Sequence, residues 1–352
     1  LHFRDDSGSP AKTGAVIEAG QRSQMIDLNG QSHIVVQDLH LEQSNNHAIN
    51  GNHCTGITIQ RVDVRLCPRG KDNGSVRLNH SRDIVIRDCT FKRIYNDCIY
   101  CWKPTNIIIA DSRFTEIADD PNDTDPKHGS DGVQLSGANT VRIVGNYVNM
   151  QGTDSPKGCL QFGHHPKQYP ASDILIENNV CLHGNYGVGV QGHGFVIRNN
   201  VFRYQGRESG QPWAAGVISG DNDDNTGLVI ADNVITDAVN GIYFFRERRI
   251  RQLDIRGNVI RHCRKGVLMD TNVMVAGRLH HNVIAPIADM VIDIQGSTKP
   301  APGGAWTSDH NVVGPEQPRF ISWFGNNYAK LEAFRAAEGQ GEHSVASGIP
   351  GE

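Results

Sequence analysis

A short strand pattern repeats along most of the chain, and it limits the available folds more than any other feature. The segments HIVVQDLHL, GITIQRVDV, DIVIRDCTF, NIIIADSRF and LDIRGNVI each contain an alternating apolar strand, a two- or three-residue corner and a second apolar strand. Aligning all copies produces one column, occupied by Leu39, Val62, Cys89, Ser112, Asn146, Asn179, Asn200, Asn233, Asn258, Asn282 and Asn311. Successive members are 21 to 34 residues apart, which predicts coils of nearly constant strand content joined by loops of variable length.

Seven members of this column are asparagines. Asparagine tolerates the left-handed conformation of a tight corner, and its amide can bond to copies above and below it. The column therefore predicts an asparagine ladder at one corner of a stack of coils.

Another short strand precedes each copy, as in AINGN, VRLNH, IYCWK, VQLSG, LQFGH, VGVQG and IYFFR. Two or three strands per coil, with no helical segment between them, predict an all-β parallel solenoid with coils about 4.8 Å apart. The 38 glycines suit its many tight corners. The pattern resembles the right-handed parallel β-helix of pectate lyases, polygalacturonases, alginate epimerases, chondroitinase B and phage tailspikes. The resemblance covers about residues 26–313 and implies a β-helix of about 10–11 coils.

Three regions are predicted on this basis. Residues 1–25 form an N-terminal cap or lead-in, 26–313 form the β-helix, and 314–352 form a C-terminal tail. Within the tail, KLEAFRAAE at 330–338 predicts a short helix that covers the last coil. The chain begins at Leu1 rather than at methionine, which suggests a removed leading segment, and we expect a secreted or periplasmic protein.

Charge and composition exclude several classes of protein. Lys and Arg total 34 against 38 Asp and Glu, for a net charge of −4, so general binding to nucleic acid is not expected. No apolar run reaches the roughly 18 residues of a membrane span. Of the eight cysteines, Cys98 and Cys101 alone have CxxC spacing, which disfavours zinc, and several are expected to pack in the core as small hydrophobes.

Strand alternation identifies the side chains that leave the solenoid. The outward set on the preceding strands includes Arg77, Tyr100, Trp102, Gln134, Gln161 and Tyr243, and the residues just beyond these strands include His53, His80, Lys103, His164, His165, Arg246 and Arg248. Aromatic rings stack on sugars, whereas amides and guanidinium groups bind hydroxyls and carboxylates. This face therefore predicts a groove for an acidic polysaccharide or oligosaccharide; the alternative is an ordinary solvated sheet face. The enlarged loops 114–131, 151–158 and 203–215 all precede this strand and are expected to form one groove wall.

Two aspartates share a column at the edge of this face. Asp97 and Asp131 stand in adjacent coils, with backbones predicted to lie about 5 Å apart. They could share a proton, flank a metal ion or serve as a glycosidase pair; alternatively, each bonds local N–H groups at a turn. Polygalacturonases also carry aspartates on this strand, in NTD and DD motifs. This chain has NDC and SDG but lacks the DD at that place, and no GHG motif stands in the family's position two coils on, so the hydrolase interpretation is weakened.

An acidic loop offers a candidate metal site. Asp119, Asp120, Asp123 and Asp125 provide hard oxygen ligands suited to calcium. Their spacing does not match an EF-hand, and a solvated acidic loop is the alternative.

The cationic groove and the family resemblance together suggest a lyase that cleaves a uronate-containing polysaccharide by β-elimination. Lys103, His164 and His165 are candidate bases, Arg77 and Arg246 would neutralise the carboxylate, and Asp97 with Asp131 would anchor calcium or tune the base. A glycoside hydrolase, a mannuronan-type C5-epimerase and a non-catalytic or tailspike-like solenoid remain alternatives. The epimerases' DPH motif is absent; the nearest match, at 125–128, contains an inserted lysine.

Overall fold

The computed structural model describes residues 23–67, 74–118, 129–152, 157–163, 169–207, 209–220, 225–245, 249–269, 274–287, 290–295, 306–316 and 318–346. Over these residues the chain winds into a parallel β-helix, as the repeat predicts. One sheet has thirteen strands, and its last two strands are its single antiparallel pair among the described residues. These strands are Gln24–Asp27, His47–Asn52, Gly74–Asn79, Asp97–Trp102, Val133–Ser136, Gly158–Phe162, Tyr186–Val190, Ala215–Gly220, Asn240–Phe245, Lys265–Met269, Ile292–Ile294, Ile321–Trp323 and Asn326–Tyr328. We call this the groove sheet.

The remaining strands form a second sheet of 22 strands, to which a complete coil contributes two. They are Val35–Glu42, Thr55–Arg65, Arg82–Arg87, Thr90–Tyr95, Thr105–Ala110, Arg113–Ala118, Asn139–Val144, Tyr147–Asn149, Ala171–Glu177, Val180–Leu182, Gly192–Arg198, Val201–Arg203, Asn225–Thr226, Val229–Ala231, Val234–Thr236, Arg249–Arg256, Val259–Arg261, Met274–His280, Val283–Ala285, Trp306–Asp309, Val312–Val313 and Val345–Ala346. The asparagine corner lies between the two strands of each coil.

The core consists of apolar columns that run through the stack. In the groove sheet, Ile49, Val76, Ile99, Val133 and Leu160 are in register and buried. Equivalent residues of successive coils also stack inside the second sheet, as Phe91 and Phe114 do with ring centroids 4.9 Å apart. All eight cysteines are buried and none is in a disulfide, so they pack as small core residues.

The asparagine ladder is confirmed. From Asn146 to Asn282, each backbone N–H donates to Oδ1 of the asparagine in the next coil, over 2.9–3.0 Å. Each Nδ2 donates to a main-chain carbonyl of the preceding coil, for example Asn200 to Ile176 at 3.0 Å. The left-handed residue, however, is the one before the column, such as Asn199 at φ 56°. That residue turns the chain, and the asparagine is thereby free to point inward.

The C-terminal end is covered as predicted. A helix at Leu331–Glu338 buries Leu331 and Phe334, and the Phe334 ring lies 5.2 Å from that of Trp323 in the groove sheet. Gly339 ends the helix in the left-handed conformation at φ 62°. The predicted lead-in lies outside the described residues except for its last three. No helix in the described part of the chain has the length and apolarity of a membrane span.

Candidate active site

The outer face of the groove sheet carries the predicted outward column. Asn50, Arg77, Tyr100, Gln134 and Gln161 occupy one register position in five successive coils. Their neighbours along each strand are buried core residues, so alternation directs these side chains away from the interior. The column continues through Gly189, Ile218 and Tyr243.

Midway along the stack of coils, Tyr186 begins its strand at the edge of this face, one coil beyond Gly158. The hydroxyl of Tyr186 donates a hydrogen bond to Oε1 of Gln161 and also lies in hydrogen-bonding contact with the carboxylate of Asp131. Burial raises the pKa of Tyr186 well above its usual value, and the nearby carboxylates of Asp131 and Asp97 raise it further. The phenol is therefore neutral at physiological pH, with one proton between two acceptors.

Asp97 and Asp131 are adjacent, as predicted from their column, and both are buried, at 2% and 1% exposure. Oδ1 of Asp97 accepts from the backbone N–H of Asp131 over 2.8 Å, and Oδ1 of Asp131 accepts from that of Gly158 over 2.7 Å. Each carboxylate thus bonds the main chain of the next coil. These bonds and the burial support a positioning role, because a glycosidase pair must reach the scissile bond. We refer to Asp97, Asp131, Gln161 and Tyr186 as the Tyr186 cluster.

Towards the N-terminal end, the groove face is cationic. Nε of Arg77 is buried and has no hydrogen-bond partner among the described residues. The ammonium group of Lys103 lies 3.6 Å from the centre of the Tyr169 ring, and the rings of His53 and His80 stack 5.2 Å apart. Burial lowers the pKa of His80, and the neighbouring His53 and Lys103 lower it further. A guanidinium group on the same face as further basic groups favours an anionic ligand.

Towards the C-terminal end, the same face becomes apolar. Ala215, Tyr243 and Leu268 form a cluster outside the main core, against which Trp213, Ile218 and Phe245 pack. Trp213 also lies 6.2 Å from Tyr186, ring centre to ring centre. Trp213 belongs to the predicted wall loop 203–215, so this loop reaches the groove face. Tyr243 points out of the solenoid, as predicted, but is 6% exposed because this cluster covers it.

The structure separates some residues that the sequence analysis grouped. Lys103 lies six residues after Asp97, which corresponds to about 20 Å of extended strand. Lys103 and the two aspartates therefore stand at opposite edges of the groove sheet, and Asp97 and Asp131 do not contact Lys103. The remaining predicted site residues lie outside the described residues: His164, His165, Arg246, Arg248, Asp119, Asp120, Asp123 and Asp125.

Tyr186 was not predicted from the sequence, because the strand was aligned as VGVQG at 188–192, with Gly189 and Gln191 as its outward residues, and Tyr186 precedes that segment. Tyr186 occupies the column of Asp97 and Asp131, which the sequence analysis had followed for two coils only. The signal was the glycine at 158, between Asp131 and Tyr186 in that column. Because Gly158 has no side chain, it leaves room for the ring of Tyr186 in the adjacent coil.

Comparison with known proteins supports the fold. No protein-family model matches the sequence, and no curated protein does so either. Among solved structures, the chain is similar to the A-module of the mannuronan C-5 epimerase AlgE6 of Azotobacter vinelandii, with 14% identity, a TM-score of 0.54, and coverage of 84% of this chain and 77% of that one. It is also similar to an exopolygalacturonase of Thermotoga maritima, with 11% identity, a TM-score of 0.50, and coverage of 82% and 74%. Both are pectate-lyase-like parallel β-helix proteins, and the likeness establishes that fold for this chain.

Proposed function

We propose that the protein is a polysaccharide-active enzyme whose substrate is a uronate-containing chain that lies along the groove sheet, and that it is a lyase acting by β-elimination. The observation that carries this proposal is the neutral hydroxyl of Tyr186, held by Asp131 and Gln161 on the outer face. It stands between a cationic region and an apolar, aromatic region of the same face.

The charges of the face support an acidic substrate. Arg77 lies four coils from Tyr186 in the groove sheet, or about 19 Å at the usual strand spacing. Arg77 is only partly buried, and its guanidinium group suits the carboxylate of a sugar distant from the reacting one. Between them, Tyr100, Gln134 and Gln161 offer a ring and two amides to sugar faces and hydroxyls.

The chemistry requires two proton transfers. A base removes the C5 proton beside the carboxylate; the electrons form the C4–C5 double bond, and the C4–O bond to the next sugar breaks. The leaving oxygen then needs a proton, which the neutral hydroxyl of Tyr186 can donate. Asp131 positions that hydroxyl and accepts its hydrogen bond when it is reprotonated. The bases predicted from the sequence are Lys103, His164 and His165. Lys103 follows a strand three coils from that of Tyr186 and stands at the opposite edge of the groove sheet, too far to act on the same sugar. The proposal therefore takes His164 or His165 as the base.

Epimerisation is the alternative that the same residue favours. If Tyr186 delivers its proton to C5 from the opposite face, the sugar is inverted and the chain stays intact. Hydrolysis by Asp97 and Asp131 is less well supported, since both carboxylates are buried and bond the main chain.

One incubation separates these activities. The protein is mixed with a panel of uronate polysaccharides and with neutral polysaccharides as controls, and the ultraviolet absorbance of the unsaturated product is followed together with reducing ends. A lyase raises both. Reducing ends alone indicate a hydrolase, and deuterium incorporation at C5 in heavy water without chain cleavage indicates an epimerase. Absence of all three signals would overturn the enzymatic proposal in favour of a binding solenoid.

A paired substitution tests the substrate class. Arg77→Gln is expected to raise KM for uronate chains about 10-fold or more, the cost of a charge-assisted contact. Arg142→Gln changes an exposed arginine on the second sheet and is expected to leave KM unchanged. If Arg77→Gln and Arg142→Gln have equal KM values, Arg77 does not contribute to substrate binding.

Two further parts of the proposal are the calcium ion and the location. Calcium binding by Asp119, Asp120, Asp123 and Asp125 is tested by chelation: activity that is lost and then restored by added calcium supports it. A secreted or periplasmic location is expected because polymeric uronates lie outside the cytoplasm.

A further inference from the structure

A column of histidines stands at the C-terminal end of the solenoid, at the same corner of the coils as the asparagine ladder. His281, His310 and His343 each precede a ladder position, and His281 and His310 have left-handed backbones with φ 57° and 54°. Their rings are stacked, with centroids 4.8 Å apart between His281 and His310 and 4.5 Å apart between His310 and His343. The coil repeat therefore holds imidazoles of three successive coils in line.

A carboxylate adjoins two of these rings. Oδ2 of Asp309 lies 2.7 Å from Nδ1 of His343 and 3.3 Å from Nδ1 of His310. Oδ1 of the same group accepts from the backbone N–H of His343 over 2.7 Å, which orients the carboxylate. Asp309 ends a strand of one coil, and His343 follows the C-terminal helix, so the cluster joins the last coil to the segment that caps it.

The dimensions suit a small transition-metal ion. One ligand atom from each of Asp309, His310 and His343 lies within 4.8 Å of the others. Two ligand atoms about 2.1 Å from a tetrahedral zinc ion are about 3.4 Å apart, so small side-chain rotations suffice to close the site. It is the single cluster of three potential metal ligands among the described residues. Two imidazoles and one carboxylate suit zinc, nickel or copper and do not suit calcium.

We propose that Asp309, His310 and His343 form a binding site for a divalent transition-metal ion such as zinc, with the fourth position open to water, and that the bound ion clasps the C-terminal cap to the last coil. The site lies on the second sheet's corner, away from the groove sheet. It is therefore independent of the proposed catalytic chemistry, and metal binding and lyase activity can fail separately.

The chain contains a matched control in His262. This histidine is 64% exposed, and its Nδ1 lies 3.7 Å from Oδ1 of Asp237. His262 and Asp237 thus place one imidazole beside one carboxylate, as in the proposed site, but without a second imidazole.

The test uses the full chain, with any affinity tag removed, titrated with ZnCl2 by calorimetry and followed by melting temperature. We expect one ion per chain and a higher melting temperature in zinc, with visible d–d absorption when CoCl2 replaces ZnCl2. Asp309→Asn, His343→Ala and His310→Phe should each weaken zinc binding about 10-fold or more, and His262→Ala should have no effect. His310→Phe keeps a ring in the stack, so a folded variant remains available. Absence of zinc binding by the wild type, or binding retained in all three variants, would overturn the proposal.

Discussion

The ring of Tyr186 lies directly against the α-carbon of Gly158 in the adjacent coil, and it occupies the volume that a side chain at position 158 would need. A β-carbon at 158 would overlap three atoms of the ring, Cδ2, Cε2 and Cζ. Glycine at 158 therefore leaves the space that the Tyr186 ring occupies when its hydroxyl reaches Gln161 and Asp131. Gly158 also donates its N–H to the carboxylate of Asp131. Gly158 therefore helps to position both Tyr186 and Asp131, which contact each other.

Gly158→Ala is accordingly expected to displace Tyr186 and to lower turnover about 10²-fold, the cost of a misplacement near 1 Å at a reacting centre. The new methyl group points out of the solenoid, so stability should fall by no more than the ~1–3 kcal/mol typical of overpacking. Turnover on the best uronate substrate and chemical denaturation measure the two effects. In a Tyr186→Ala background, which lacks the ring, Gly158→Ala should have no further effect on turnover; an additional loss there would place the cause elsewhere.

Tyr186→Phe isolates the hydroxyl from the ring. The phenylalanine fills the same space but cannot donate a proton, and turnover should fall about 10²-fold or more, as for a lost acid–base group. Far-ultraviolet circular dichroism should not change. Tyr169→Phe is the matched control, because it removes a phenol from the same face and keeps the ring under Lys103. Wild-type turnover in Tyr186→Phe would show that the reaction does not use this hydroxyl.

The fold was predictable because its determinants are local and periodic. Alternation places Ile99 inward and Tyr100 outward, and a repeat of this kind brings Ile99 beside Val76 and Val133 once the coils are stacked. The asparagine column was predictable for the same reason, since one residue type repeated at one register position lies within reach of its own copies in the neighbouring coils.

The candidate site was predictable only in part. The prediction that Asp97 and Asp131 share a column was correct. Their carboxylates accept hydrogen bonds from backbone N–H groups, however, and this depends on side-chain torsions that the repeat does not determine. Grouping these aspartates with Lys103 neglected the length of a strand, since residues that share a coil can stand at opposite edges of a sheet. Tyr186 enters the site through the size of its ring and the absence of a side chain at Gly158, a relationship between coils rather than a motif.

Trp102 and Tyr243 are the predicted sugar platforms, and the structure distinguishes them. Trp102 is half-buried and meets Tyr169 edge to face at 5.3 Å, so Trp102→Ala should raise KM with little loss of stability. Tyr243 packs against Leu268 and is nearly covered, and Tyr243→Ala should also lower stability, by ~3 kcal/mol or more as for a buried aromatic. Substrate affinity and denaturant midpoints measured on both variants check the difference. A loss of fold in Trp102→Ala, with KM unchanged, would reverse the assignment.

The asparagine ladder should be a major source of stability. Nδ2 of Asn200 shares its two hydrogens among three acceptors, the carbonyls of Ile176 and Arg198 and Oδ1 of Asn233. Asn200→Ala or Asn233→Ala should therefore cost ~1–3 kcal/mol, because buried main-chain groups lose their partners. Asn139→Ala changes an exposed asparagine that bonds Ser172 at the surface, and should cost less than about 0.5 kcal/mol. Melting temperatures equal to that of the wild type in both ladder variants would contradict a structural role.

A buried histidine near the N-terminal end should make the solenoid sensitive to mild acid. His47 is 2% exposed, with Nδ1 2.8 Å from the carbonyl oxygen of Gly74. Burial lowers the pKa of His47 below its usual 6.5, and the positive charge of Arg77 acts in the same direction, against the opposing effect of the Gly74 carbonyl. The unfolded chain then binds a proton that the folded chain does not, so stability is present above pH 6.5 and is lost as the pH falls through the lowered pKa. We expect the melting temperature of the wild type to decrease from pH 7 to pH 5 more steeply than that of His47→Asn, whose side-chain amide can keep the bond to Gly74. His262→Asn, which changes an exposed histidine, should retain the wild-type slope. Parallel curves for the wild type and His47→Asn would show that His47 does not contribute to the acid response.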